Sequence, residues 1–291
     1  MSAPFGPDPL LEQLAAVIAG RASDVDGMDA RFEGKHETFL RFGCNTLLQC
    51  NRVDVPKTTF RAVIEGRSAE ASTTRFDAES LKTARDRAAS LARSGGTARA
   101  KPTLPGPGGE IVVSRPDVYD PATAALGPAE CAEVLARFFA EAQRSGVDLA
   151  GRHVTGQIER AVVNSAGLKR YALSTRADAR LYATDGPLSG YSGAASSRVA
   201  ALDLERHAGR AIEKCVRSRN PEALEPGRYD VIVEPEGVAE LLEWLGGIAF
   251  TPRSVEDGTS FVAGRIGEVV TGAEVTLFDD GGGDGGLGLY N

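Results

Sequence analysis

The sequence predicts an α+β fold, in which an N-terminal domain of helices and antiparallel sheet precedes a second α+β region. Three observations lead to this prediction. Apolar residues recur at helical spacing in some segments, whereas other segments are short, nearly alternating and punctuated by glycine. Helices stand before and after a group of strands, an order typical of α+β proteins. A stretch dense in proline and glycine separates the two regions.

Two helices are predicted in the N-terminal region. Leucine, valine and isoleucine at helical spacing form one apolar stripe over residues 9–21. A second helix is predicted over residues 77–93, because Asp77 is suited to the N-cap position and Gly95 follows the last periodic residue. Both helices have an apolar face that can pack on the segment between them in the sequence.

The segment between these helices, residues 28–74, is predicted to be an antiparallel meander. Glycines at 34, 43 and 66 separate its nearly alternating runs, as expected of strands joined by tight turns. The runs lie at residues 38–42, 46–50 and 58–64.

A proline- and glycine-rich stretch from residue 95 to residue 128 marks the predicted domain boundary. Six prolines in this stretch forbid a continuous helix or a central strand. The run Ile111–Val113 inside it is predicted to be an isolated strand.

Beyond the boundary, apolar periodicity and turn signals predict further elements. They are a helix at 128–144, strands at 157–163, 169–175 and 179–183, a turn at 164–167, a small-residue loop at 186–197, a helix at 203–217, a strand at 229–233 and a helix at 235–250.

The composition excludes several classes of protein. The 291 residues carry 33 Lys and Arg against 40 Asp and Glu, a net charge of −7, which disfavours a nucleic-acid binder. No apolar stretch approaches the roughly 18 residues of a membrane helix, and the N-terminus lacks a basic secretion signal. Four cysteines without a metal-ligand spacing fit reduced thiols. We therefore expect a cytoplasmic protein that binds neither nucleic acid nor membrane.

Residue patterns offer little evidence for catalysis. The three histidines lie far apart in sequence, and Asp203 with His207 is interpreted as a surface ion pair rather than as two metal ligands. The loop serines are framed by no nucleophile motif, and Cys44 and Cys50 have no histidine nearby in sequence. These loop serines are Ser189, Ser192, Ser196 and Ser197.

Acidic residues recur at helical spacing in the helix that begins at Pro235. Glu236, Glu240 and Glu243 form one stripe, and an apolar set that includes Val238 and Leu241 lies opposite. A buried carboxylate stripe could do acid–base chemistry, but this spacing is more typical of a solvated helix face. We therefore predict that the acidic stripe faces solvent.

Several segments, taken in order, resemble the TldD/PmbA family, also called the modulator-of-DNA-gyrase family. An N-terminal segment before a helix, Ala69–Thr74, is similar to the N-terminal domain of that family. The other segments are Val163–Gly167, Gly190–Tyr191, Pro226–Pro235, Asp257–Phe261 and Gly264–Glu268. The resemblance spans about residues 30–280 and implies a C-terminal β-rich domain that begins near Pro226. It also implies three domains, at 1–115, 116–225 and 226–291.

The resemblance further implies a role without catalysis. Catalytic members of the family carry HExxxH on the helix after the Pro226–Pro235 segment, where the two histidines hold zinc and the glutamate accepts a proton from water. Here Leu242 and Gly247 stand at the histidine positions, and only Glu243 is retained. Leucine and glycine side chains offer no lone pair to a metal. We therefore expect no catalytic residue, no metal site and no cofactor in this chain.

These features imply the PmbA/TldE type, a metal-free partner of a TldD-like catalytic subunit. Zinc is then expected only in that partner, and the implied substrate is a small extended peptide. The alternatives are a stand-alone protein-binding modulator and a hydrolase that uses a loop serine or Cys44 or Cys50. Family members continue well past the point matching Asp279, so the C-terminal domain is expected to be incomplete, with a glycine-rich tail.

Overall fold

A computed structural model describes residues 5–95, 103–107 and 118–278 of the chain. Six strands form the framework: Gly27–Gly43 (β1), Thr46–Ile64 (β2), Arg67–Thr73 (β3), Asp148–Asn164 (β4), Lys169–Asp185 (β5) and Leu188–Ser196 (β6). The α-helices are Pro7–Ala19 (α1), Ala78–Ser94 (α2), Pro121–Ala125 (α3), Pro128–Arg144 (α4), Leu204–Arg217 (α5), Pro235–Trp244 (α6) and Pro252–Glu256 (α7). The α+β prediction is confirmed, as are the predicted helices that correspond to α1, α2, α4 and α5.

All six strands belong to one antiparallel sheet with the order β3-β2-β1-β4-β5-β6. The central pair is β1 with β4, which aligns Asp29 with Asn164 and Phe42 with Gly151. The predicted domains 1–115 and 116–225 thus contribute three strands each to a single sheet. The predicted isolated strand at residues 111–113 lies outside the described residues, as does the glycine-rich tail.

The strands are longer than their predicted counterparts. Gly34 was expected to separate two strands, but it lies in the middle of β1, opposite Pro56 of β2. The ring of Phe32 lies only 3.1 Å from where a Cβ atom of Gly34 would be, so this glycine makes room for an aromatic side chain. The sequence pattern predicted a turn at this glycine because periodicity alone does not show such packing within a sheet.

The helices cover one face of the sheet and form two separate cores. Alternation along β1 places Phe32 and Leu40 on the same face, yet they belong to different clusters. The first cluster packs α1 and α2 against one end of the strands, and the second packs α4 and α5 against the other end.

Buried polar residues of β4 lie on this covered face between the two cores. They are His153, Thr155, Gln157 and Glu159, and each is at most 1% exposed. The carboxylate of Glu159 accepts hydrogen bonds from the Tyr171 hydroxyl at 2.8 Å and from the Gly6 amide at 3.1 Å. Burial nevertheless raises the pKa of Glu159.

The prediction of a loop at residues 186–197 is wrong, because most of this segment forms the edge strand β6. Its small residues serve packing rather than flexibility. A Cβ atom on Gly190 would lie 2.1 Å from the carbonyl oxygen of Ala211 and 2.5 Å from the amide nitrogen of Cys215. Glycine at this position therefore lets α5 lie directly against the sheet.

The C-terminal segment, residues 221–278, packs loosely on the rest of the chain. The strand predicted at 229–233 is wrong, since these residues form no strand and Ile232 is 99% exposed. A strand needs a neighbour for its amide and carbonyl groups, and none of the described strands lies beside this segment. No helix in the described part of the chain is long and apolar enough to cross a membrane.

Candidate functional site

A cleft of about 380 Å³ lies where α6 approaches the outer edge of β6 and the first turns of α5. Its walls differ in charge. One wall carries guanidinium groups from β5 and α5, and the other carries carboxylates from α6. The lining residues are Asp178, Ala179, Arg180, Tyr191, Gly193, Ala194, Ala195, Arg206, His207, Arg210, Pro235, Glu236, Ala239, Glu240 and Glu243.

The position of His207 follows from the amphipathic pattern of α5. The side chain of Asp203 caps this helix by accepting a hydrogen bond from the Arg206 amide. His207 lies four residues before Ala211 and eight before Cys215, on the face that packs on the sheet. The predicted surface ion pair of Asp203 with His207 is wrong: His207 is only 7% exposed, and Asp203 pairs with Arg206 instead.

Three polar side chains form a hydrogen-bonded chain at the base of the cleft. The Oγ atom of Ser192 lies 2.7 Å from Nδ1 of His207 and donates to Oε1 of Glu236 at 3.3 Å. The hydroxyl of Ser192 therefore links the imidazole of His207 to the carboxylate of Glu236, with the shorter contact on the imidazole side.

The surroundings shift the pKa values of both ionisable groups in this chain. Burial lowers the pKa of His207, and the nearby Arg206 charge acts in the same direction. Burial alone would raise the pKa of Glu236, but the hydrogen bond from its own amide and the Arg210 and Lys214 charges lower it. Both shifts favour a neutral imidazole beside an ionised carboxylate.

A second set of contacts holds the start of α6 against α5. The carboxylate of Glu234 accepts a hydrogen bond from Arg210 at 2.7 Å and another from the ammonium group of Lys214. The same ammonium group donates to the carbonyl oxygen of Tyr191 at 2.8 Å. These hydrogen bonds lower the pKa of Glu234. We call Glu234, Arg210 and Lys214 the ionic clasp.

The orientation of α6 differs in part from the prediction. The acidic stripe was expected to face solvent, and Glu240 and Glu243 are exposed where they line the cleft, but Glu236 points inward with a side chain only 14% exposed. The apolar residues are outside instead, with Val238 39% and Leu241 59% exposed. The reason is electrostatic, because the basic side chains of α5 attract the acidic face of α6.

The helix widens immediately after α6. Residues Leu245–Ala249 form a π-helical turn, closed by a hydrogen bond from the Phe250 amide to the Leu245 carbonyl at 3.1 Å. Leu242 lies in the α-helical part and Gly247 in the wide turn. A turn with i to i+5 hydrogen bonds brings positions five residues apart nearer to one face than an α-helix does. Positions 242 and 247 are five residues apart.

Comparison with known proteins shows what this chain is similar to. Residues 226–291 match the sequence profile of the PmbA/TldA metallopeptidase C-terminal domain. The fold is similar to the crystal structure of TldE from Thermococcus kodakarensis, with a TM-score of 0.66 and 17% identity over 88% of this chain and 59% of that one. Together these matches support assignment of the chain to the TldD/PmbA family.

Other structures have a similar fold. A protein of Thermotoga maritima, described as a candidate modulator of a DNA gyrase, gives a TM-score of 0.70 at 17% identity, over 89% of this chain and 60% of that one. A corresponding protein of Bacteroides thetaiotaomicron gives 0.71 at 15% identity, over 88% and 60%. An uncharacterized protein of Methanocaldococcus jannaschii is 29% identical over 80 residues, 28% of this chain and 19% of that protein. The chain spans about three fifths of the solved relatives.

The segment that the resemblance aligns with the zinc motif lies beside the cleft. Glu243, which the resemblance places at the catalytic glutamate, lines the cleft, whereas Leu242 is 42% exposed and does not. Neither Leu242 nor Gly247 has an atom that can ligate a metal. In the described ranges, no three His, Cys, Asp or Glu side chains are grouped to hold a metal ion. The residues at this position do not fit zinc.

The remaining nucleophile candidates are not arranged for catalysis. Ser192 lies 2.7 Å from Nδ1 of His207, but its side chain is completely buried, so its hydroxyl is not accessible to a substrate. Cys44 and Cys50 are exposed, whereas Cys131 and Cys215 are buried with raised pKa values because of that burial. The sequence analysis did not predict the contact of Ser192, His207 and Glu236, because the three residues lie on three different elements. The apolar face of α5, on which His207 lies, was the one available signal that this histidine is buried.

Proposed function

We propose that this chain is the non-catalytic partner subunit of a heteromeric zinc metallopeptidase of the TldD/PmbA family. The observation that carries the proposal is that Leu242 in α6 and Gly247 in the following turn stand where the resemblance places the two motif histidines. Without those imidazoles the chain has no means to bind the metal, so hydrolysis must depend on zinc held by a TldD-like subunit.

The exposed apolar surface of the C-terminal segment supports a protein partner. Side chains such as Trp244, at 63%, and Ile232, at 99%, are largely exposed. Contiguous apolar surface of this kind is typical of protein–protein contacts. In this proposal the catalytic subunit covers that surface.

The cleft supports a role in holding the peptide. It lies along β6, an edge strand whose backbone can align an extended chain by strand addition. Its basic and acidic walls can attract the two termini of a small peptide. Hydrolysis would take place at the partner's zinc, with this chain forming part of the enclosure.

Reconstitution tests the proposal. The full chain would be purified alone and together with a TldD-type subunit that carries HExxxH, and unfolded peptides would be incubated with each preparation. We expect no cleavage by the chain alone and chelator-sensitive cleavage by the complex, detected by mass spectrometry. A TldD-type preparation that is equally active without this chain, or a chain that binds gyrase but no such subunit, would favour the modulator role instead.

A further inference from the structure

Among the described residues, one edge of the sheet has no pairing strand along most of β2. Strand β3 pairs with β2 only from Thr58 to Ile64. Residues 46–57 of β2 pair with β1 on one side, and no described strand pairs with their other side. In this stretch Leu48 is 61% and Val55 42% exposed.

An open edge of this length is a template for another strand. Monomeric proteins protect such edges with short strands, prolines and charges, because unpaired amide and carbonyl groups otherwise bind a second chain. The charges on this edge are of opposite sign. Arg52 and Asp54 lie two residues apart, on the same face of β2, and form an ion pair at 3.2 Å.

These charges are symmetric about Val53. If two copies of β2 pair in antiparallel fashion with Val53 opposite Val53, Arg52 of each copy lies opposite Asp54 of the other. The neighbouring pairs are Asn51 with Val55 and Cys50 with Pro56, which involve no like charges. Shifting the centre to residue 52 or 54 places two arginines or two aspartates opposite each other, which is destabilising.

The backbone permits this register. In an antiparallel ladder, residues whose amide and carbonyl groups point outward alternate along the strand. A register centred on a residue pairs odd-numbered positions with odd-numbered ones and even-numbered positions with even-numbered ones. The outward-pointing amide and carbonyl groups of one strand therefore face those of the other. Pro56 lacks an amide hydrogen and can remove only one donor from each strand.

We propose that two copies of this chain associate through the open edges of β2, antiparallel and centred on Val53. The two sheets then continue as one across the two-fold axis. We choose a second copy of the chain as the binding partner because opposite charges meet when two copies of this edge pair. This contact is distant in sequence from the C-terminal segment and does not depend on the proposed peptidase partner.

Charge reversal tests the register. Arg52→Asp and Asp54→Arg each place like charges opposite one another, whereas the double variant restores opposite charges. By sedimentation equilibrium we expect each single variant to dimerise roughly tenfold or more weakly than the wild type, and the double variant to recover dimerisation. Circular dichroism verifies folding, since Asp54→Arg also removes the contact of Asp54 with His36 at 2.8 Å.

Disulfide trapping tests the axis independently of stability. In a Cys44→Ser/Cys50→Ser background, Val53→Cys places two thiols directly across the axis, within disulfide range. The matched control Val55→Cys lies two residues off the axis, about 13 Å from its copy. We expect a covalent dimer from the first variant alone. A wild type that stays monomeric at high concentration, equal dimerisation of all charge variants, or equal crosslinking of both cysteine variants overturns the proposal.

Discussion

The hydroxyl of Ser192 lies 2.7 Å from Nδ1 of His207, and both side chains are buried between β6 and α5 beneath the start of α6. The pair has the residue types of a hydrolase dyad, but Ser192 is completely buried and its hydroxyl also contacts Glu236 at 3.3 Å. The contact therefore joins three elements of the fold instead of activating a nucleophile.

The structural role of Ser192 predicts a loss of stability on its removal. Ser192→Ala removes the hydroxyl that contacts Nδ1 of His207 and a carboxylate oxygen of Glu236 in a buried site. We expect the free energy of unfolding, measured with urea, to fall by about 1–3 kcal/mol. The exposed Ser189→Ala is the matched control and should change it by less than about 0.5 kcal/mol. Labelling of Ser192 by a fluorophosphonate probe would contradict the structural role.

The burial of His207 predicts a pH dependence of stability. Its pKa is lowered on folding, so the unfolded chain binds more protons than the folded one as the pH falls through the ordinary histidine range. The contribution of His207 to the free energy of unfolding should therefore be fully present at pH 7.5 and decrease on acidification below about pH 6.5. His153, whose pKa burial also lowers, contributes in the same direction.

The His207 contribution can be isolated by substitution. His207→Asn keeps a hydrogen-bonding group near Ser192 but has no titratable ring. We expect urea unfolding between pH 7.5 and 5.5 to show a shallower pH slope for this variant than for the wild type. An unchanged slope would show that His207 titrates alike in the folded and unfolded chains.

The ionic clasp predicts that the position of α6 depends on salt. Glu234→Gln weakens the hydrogen bonds to Arg210 and Lys214, which are the main charged contacts between α6 and α5. Amide hydrogen exchange in residues 234–244 should accelerate in this variant. Because these side chains are partly exposed, salt near 1 M should produce the same acceleration in the wild type. The control Glu243→Gln lies on the same helix outside the clasp, and exchange as fast in it as in Glu234→Gln would argue against the clasp.

Gly190 predicts a steric limit on the contact between α5 and β6. Gly190→Ala places a methyl group 2.1 Å from the Ala211 carbonyl oxygen, so the helix must move outward. We expect a loss of about 1–3 kcal/mol in unfolding free energy and a lower melting temperature. Gly209→Ala, on the same helix, meets nothing within 4 Å and should be neutral or slightly stabilising. Equal melting temperatures of the two variants would refute the close packing.

Local signals in the sequence predicted much of the fold. The cap at Asp77 and the glycine at 95 gave the ends of α2 because both act through neighbouring backbone groups. The turn after β4 was likewise predictable, since Asn164 closes it by accepting from the Ala166 and Leu168 amides. Such features need no information from distant parts of the chain.

The features that the sequence did not predict depend on distant contacts. β6 was interpreted as a loop because its small residues have low strand propensity, and only the packing of α5 on Gly190 explains them. The inward position of Glu236 depends on Arg210 and Lys214, more than twenty residues away in sequence. The segment 229–233 has the composition of a strand but no described neighbour with which to pair.

Zinc content is the most direct test of the central claim that this chain lacks the metal site of its family. The full chain, purified alone and dialysed against micromolar zinc, would be measured by inductively coupled plasma mass spectrometry, with a TldD-type protein as positive control. The account predicts near-background zinc for this chain. One tightly held zinc ion per chain would contradict it.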